Sequence, residues 1–227
     1  MKKRMIQLKQ KIQSKNSILD IVEGVFPYAK VMFIYYCGSV AYGLNNESSD
    51  EDVTVVLEGF EGNVHLCLGS LDIFAYGRDI YKKKQDLDPS VPLYDRAHID
   101  EIVSSEDNLI YLNEIYREDY EHTKYADFVS KIGPFLESFI EYYSMRTKDN
   151  IAYKSHYHIF RIRGILDHLD QTGRYELVVE EPWKSKMIEY KNNWDNELGR
   201  SYLSLILDQL NYIRDYKDKV MKKNELG

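Results

Sequence analysis

Residues 31–52 read Val31-Met32-Phe33-Ile34-Tyr35-Tyr36-Cys37-Gly38-Ser39-Val40-Ala41-Tyr42-Gly43-Leu44-Asn45-Asn46-Glu47-Ser48-Ser49-Asp50-Glu51-Asp52. The stretch opens on an unbroken apolar and aromatic run, Val31 to Tyr36, the composition of a central strand covered on both faces. Gly38-Ser39 stop the run with a tight turn after which a helix can begin. Asn45 to Ser49 is a polar loop. A second strand follows as Asp52-Val53-Thr54-Val55-Val56-Leu57, ended by Glu58-Gly59. Strand, turn, helix start and strand in this order make the amino-terminal part a small α/β unit.

Working outward, Met5, Leu8, Ile12, Leu19 and Val22 recur at spacings near three and four, which predicts an amphipathic helix over 3–23. A third strand is expected within Val64 to Tyr76, with Leu71 to Tyr76 alternating in character. From Asp107 onward the strand signals give way to helical spacing. Phe128, Ile132, Phe135 and Phe139 form a core stripe, with Pro134 starting or kinking a helix. Further helices are expected over 149–171, stopped by Gly173, and over 196–222. Asp86 to Asp95 holds two of the five prolines and reads as a reorienting loop. The expected architecture is α+β: an α/β domain over 1–106 and an all-helical domain over 107–227.

The chain has 227 residues, 44% of them hydrophobic and 30% charged, the balance of a globular protein. Its net charge of −7 argues against holding long nucleic acid by broad charge neutralisation, which needs a basic surface. A small anionic ligand held by a few local cations remains compatible with that sign. No stretch approaches the roughly 20 apolar residues of a membrane span, and the amino end lacks a secretory pattern. Cys37 and Cys67 are too few for a disulfide framework and read as buried thiols, which points to a reducing, cytoplasmic setting. Lys82-Lys83-Lys84 and Lys222-Lys223 read as solvated faces. Trp183 could stack on a base but is read as a cap on the helical core. The two Arg-x4-His spacings, Arg117 to His122 and Arg163 to His168, are read as chance spacing rather than as a ribonuclease motif.

The chemistry-bearing residues are acids. Side chains alternate along a strand, so Asp50 and Asp52 share a side about 7 Å apart while Glu51 points away. Two such carboxylates repel unless a cation lies between them, and Mg²⁺ prefers hard oxygen ligands together with substrate phosphates. Asp72 interrupts an apolar strand, where a lone carboxylate is costly to bury. Beside the Asp50/Asp52 strand it would complete a set of three carboxylates able to hold two metals about 3.5–4 Å apart. At the other end of the segment, the backbone of Gly38 and the hydroxyls of Ser39 and Ser49 can donate to an anion.

Together Gly38-Ser39-Val40-Ala41-Tyr42-Gly43 and Ser49-Asp50-Glu51-Asp52 resemble the DNA polymerase β-like nucleotidyltransferase superfamily. The closer resemblance is to its stand-alone bacterial and phage branch, in which a Gly-Ser-x-Ala-Tyr-Gly turn precedes Ser-Asp-x-Asp. That resemblance implies a polymerase β palm-like mixed sheet, with a helical domain closing over the nucleotide site. It implies that Asp50, Asp52 and Asp72 are catalytic, metal-binding acids, and that Gly38, Ser39, Tyr42 and Ser49 bind nucleotide. Lys154, His158 and Arg161 look like the branch's Lys-x-x-x-His-x-x-Arg helix. At i, i+4 and i+7 they are either a cationic wall over a triphosphate or an ordinary polar stripe. Residues 82–124 match nothing in the branch. The activity implied is Mg²⁺- or Mn²⁺-dependent transfer of a nucleotide, AMP from ATP first among them, to a hydroxyl on a protein, an RNA end or a small molecule, with release of pyrophosphate. The alternative on the same fold is a non-catalytic, antitoxin-like regulator that binds nucleotide or a partner.

Overall fold

The computed structural model describes residues 15–45, 49–102, 106–123, 128–177 and 179–225. The protein is α+β. Of the expected first helix, the part within the described residues is α1, Lys15–Val25. The strands are β1 (Lys30–Tyr36), β2 (Glu51–Glu58), β3 (Asn63–Leu68), β4 (Leu71–Gly77) and β5 (Leu109–Leu112), and a short helix α2 (Gly38–Ala41) follows β1. They form one five-stranded mixed sheet in the order β3-β4-β2-β1-β5, in which β2 and β4 run parallel and the other pairs antiparallel.

Two features differ from expectation. The single strand expected within Val64 to Tyr76 is a hairpin, β3 and β4, turning at Gly69-Ser70, where Gly69 takes φ +73. That backbone state suits glycine, and the apolar alternation running through both arms hid the turn. The sheet also draws an edge strand from beyond residue 106, since β5 pairs with β1.

The two faces of the sheet bury different partners. Val53, Val55, Leu57, Leu71, Ile73 and Ala75 point to one side and pack on Ile18 and Val22 of α1. Phe33, Tyr35, Val56 and Tyr76 point to the other side and join the helical half. β1 supplies Val31 and Ile34 to the first layer but Phe33 and Tyr35 to the second. An irregularity in the β1–β2 register between Val31 and Phe33 allows that change of parity.

Beyond the hairpin come α3 (Arg78–Gln85), α4 (Leu93–Ala97) and α5 (Arg117–Glu121). The expected loop over 86–95 turns the chain into α4, with Pro92 as its N-cap. The helical half is α6 (Ile132–Thr147), α7 (Tyr157–Thr172), α8 (Trp183–Asn193), α9 (Glu197–Ser201) and α10 (Leu203–Glu225). Pro134 sits in the first turn of α6, where its missing N–H costs little. Gly173 closes α7 with φ +70, as its position suggested. The expected core stripe of Phe128, Ile132, Phe135 and Phe139 is buried in the cluster that also takes Phe33, Tyr35 and Val56 from the sheet. One apolar core therefore runs from the sheet into the helices. Among the described residues no helix is long and apolar enough to cross a membrane.

His156, at the entry to α7, is fully buried in this core between the rings of Tyr143, Tyr153 and Tyr190. Burial, then Arg146, lowers its pKa from 6.5 to about 4. The folded state thus favours neutral imidazole, while the unfolded chain gains a proton below its ordinary pKa. The resulting stability is complete above the unfolded value and is lost as pH falls toward the folded one, at most about 3 kcal/mol. Urea denaturation at about pH 7 and about pH 5 should show a smaller acid loss for His156→Gln than for the wild type. Equal losses in the two proteins would remove His156 as the acid-labile group.

Candidate functional site

The Gly38-Ser39 turn and the start of β2 are pressed together. The Cys37 N–H donates to the Asp52 carbonyl at 2.8 Å. Gly38 takes φ +59, and a Cβ built there would lie 2.1 Å from Asp52 Oδ2. Only glycine lets the turn come so close to that carboxylate. Asp52 in turn lies directly opposite Asp72 in the parallel β2–β4 register. Strand alternation sends Glu51 to the other side of the sheet, where burial raises its pKa, while Asp50 and Asp52 both open into one cleft.

That cleft has a volume of about 790 Å³ and lies between the strand ends and the helical half. Its acidic wall is Asp50 and Asp52 beside Gly38, Ser39 and Ser49; the facing wall carries Lys154, Tyr157, His158 and Lys191. Most of the residues singled out from sequence therefore converge there, and three do not line it. Asp72 is adjacent to Asp52 in the ladder, but its carboxylate meets His65 Nε2 at 3.3 Å. Tyr42 is buried, with its ring 4.4 Å under the Arg161 guanidinium.

Arg161 is the main correction. It is completely buried, and its fork holds Asp100: Nη1 donates to Oδ2, and Nη2 donates to Oδ1 at 3.2 Å. A bidentate pair of this kind occupies the geometry that would otherwise clasp a phosphate. The expected stripe also breaks at its start, because Lys154 lies in a 3-10 turn ahead of α7 while Arg161 faces the interior. Arg161 acts on the cleft through His158. Its Nε donates to His158 Nδ1 at 3.1 Å, so that nitrogen must accept and the imidazole proton sits on Nε2. Burial, followed by the charges of Arg161, His98 and Lys191, holds the His158 pKa well below the usual imidazole range. The cleft thus contains a neutral imidazole whose tautomer is fixed from behind.

Three features were missed from sequence. Lys191 lines the cleft from α8; its pKa is lowered by burial and by Lys154, with Asp52 opposing. The signal for α8 was present in Trp183, Met187, Tyr190 and Trp194, spaced as one helix face. Lys84, read as part of a solvated run, is buried beside the cleft and donates to Asp95 at 2.8 Å and to the Tyr76 hydroxyl at 3.1 Å. Cys67, read as a buried thiol, is exposed, whereas Cys37 is buried. Trp183 follows the core reading, with its ring stacked on Phe160 and its Nε1 donating to Asp167 at 2.7 Å.

No protein-family profile matches the chain, and no curated protein matches it.

Removing the carboxylate from Asp100 would leave the Arg161 charge buried without its partner. Asp100→Ala should lower unfolding free energy by about 3–5 kcal/mol, read as a shift of the urea midpoint. A midpoint equal to that of the wild type would show that the pair does not anchor the fold.

Proposed function

We propose that the protein is a divalent-metal-dependent nucleotidyltransferase of the polymerase β-like kind, transferring a nucleoside monophosphate from a nucleoside triphosphate to a hydroxyl acceptor. The observation that carries this reading is the Asp52 carboxylate seated against Gly38, with Asp50 in the same cleft and Lys154 and Lys191 on the facing wall. The mixed sheet backed by helices is compatible with a palm-like unit. In the reaction, the acceptor oxygen bonds to the α-phosphorus, the bond from that phosphorus to the oxygen it shares with the β-phosphate breaks, pyrophosphate departs with that oxygen, and the hydroxyl proton passes to solvent.

Asp50 and Asp52 line the cleft and would hold Mg²⁺ or Mn²⁺, with Asp72, opposite Asp52 in the ladder, joining them when its carboxylate turns from His65. Their fit to such an ion rests on hard carboxylate oxygens and on a turn stripped of side-chain bulk at Gly38. When bound, the metal supplies charge neutralisation at the phosphates and acidifies the acceptor hydroxyl. The chain's own groups do the positioning. Gly38, Ser39 and Ser49 offer donors to phosphate oxygens at the acidic wall. Lys154 and Lys191 offset triphosphate charge from the opposite wall, and the reduced proton affinity of Lys191 is reversed by an arriving anion. His158 stays neutral, so it adds no charge to a cleft already lined by Lys84, Lys154 and Lys191. Holding the reactants in line in a preorganised polar cleft lowers the barrier without a covalent enzyme intermediate.

The test incubates the protein with labelled ATP and Mg²⁺ or Mn²⁺ across protein, RNA and small-molecule acceptors. Pyrophosphate release with label on an acceptor is expected, and Asp50→Asn or Asp52→Asn should reduce the rate at least about 100-fold while leaving the melting temperature nearly unchanged. Undiminished turnover in either variant overturns the assignment, and nucleotide binding without turnover points to the regulator reading instead. Lys191→Ala should weaken ATP binding about tenfold, measured by calorimetry; unchanged affinity would take Lys191 out of the phosphate wall.

A further inference from the structure

His65 and Cys67 lie two apart on β3 and share a side, and Cys67 is paired across the hairpin with Asp72 of β4. Their ligand atoms all lie within 4.8 Å of one another. Cys67 Sγ is 3.6 Å from His65 Nε2, and His65 Nε2 is 3.3 Å from Asp72 Oδ1. A tetrahedral zinc with ordinary bond lengths requires sulfur–nitrogen and nitrogen–oxygen separations of about 3.6 and about 3.3 Å. Both existing spacings match, and the third edge, from Cys67 Sγ to the Asp72 carboxylate, lies within 4.8 Å. His65 is held in place by its ring stacked on Phe74, with centroids 4.3 Å apart.

From this geometry we propose that His65, Cys67 and Asp72 form a site for a borderline transition metal, Zn²⁺ above all, whose occupation withdraws Asp72 from the catalytic carboxylates. The withdrawal rests on the nucleotidyltransferase reading; the metal site itself does not. Thiolate and imidazole ligands select against Mg²⁺, so the two ion types sort themselves between neighbouring ligand sets that have Asp72 in common. As the sulfur–metal bond forms, the thiol proton passes to solvent. Three protein ligands leave the fourth position for water, the arrangement of an exchangeable site rather than a closed structural one. His65 and Cys67 are exposed, so the ion can enter from solvent at the sheet edge.

The experiment uses the full chain without an affinity tag, reduced with a phosphine. Co²⁺ alone should bind one per chain with a thiolate-to-cobalt charge-transfer band, and Zn²⁺ should displace it. Cys67→Ser should abolish the band, and His65→Ala should weaken both ions at least tenfold. Saturation without a thiolate band, or zinc affinity unchanged in both variants, overturns the site. In the pyrophosphate assay with Mg²⁺ in excess, micromolar Zn²⁺ should inhibit the wild type. Cys67→Ser should need at least tenfold more zinc for the same fractional loss of its own rate, and equal sensitivity overturns the competition for Asp72. If the wild type shows no turnover, the nucleotidyltransferase reading fails while the cobalt spectrum still decides the metal site.

Discussion

The parallel pairing of β2 with β4 is the constraint on which the candidate site depends. It sets Asp52 beside Asp72, and a slip of β4 by one residue would send Asp72 to the α1 side of the sheet. The register is locked from below by Val53, Val55, Leu57, Ile73 and Ala75, all buried against α1. Facing carboxylates on adjacent strands repel one another. The protein tolerates them by giving each a different surrounding: His65 beside Asp72, and the glycine turn and the field of Lys191 about Asp52. Apolar packing on one face thus holds together a charge arrangement that would not assemble by itself.

Arg161 and Asp100 perform the corresponding task where α7 meets the turn that follows α4. Both are fully excluded from water, a costly placement that the bidentate bonds offset. The Tyr175 hydroxyl adds a donor to Asp100 at 3.4 Å, and the Tyr42 ring lies beneath the guanidinium. Asp100 comes from the stretch without a match in the resembled branch, so a segment without a recognised motif supplies the counter-ion of the central buried arginine. His158 gains its tautomer from the same cluster.

Much of this was legible in the sequence. The strand–glycine–strand order fixed the position of the turn relative to Asp50 and Asp52, and alternation correctly set Glu51 apart. Where reading stopped, the reason is physical. The direction of Arg161 depends on Asp100, a partner 61 residues away that local periodicity does not reveal. The burial of Lys84 depends on Asp95 and Tyr76 meeting across the loop between them. The β3–β4 turn was masked because apolar alternation continues through both arms, with Gly69 as slight punctuation. Cys67 sits in an apolar run yet is exposed, because no residue of the edge strand β3 is buried on either face.

The continuous core has a consequence for how such a molecule can diversify. Tyr42 from the turn, Asp100 from the middle of the chain and Arg161 from α7 meet at one buried point, so the helical half is not a cassette that recombination could swap intact. A grafted replacement would need to bring its own guanidinium to the same spot, or leave an anion stranded in apolar surroundings. A substitution at the rim of the cleft, by contrast, leaves the ionic knot beneath untouched.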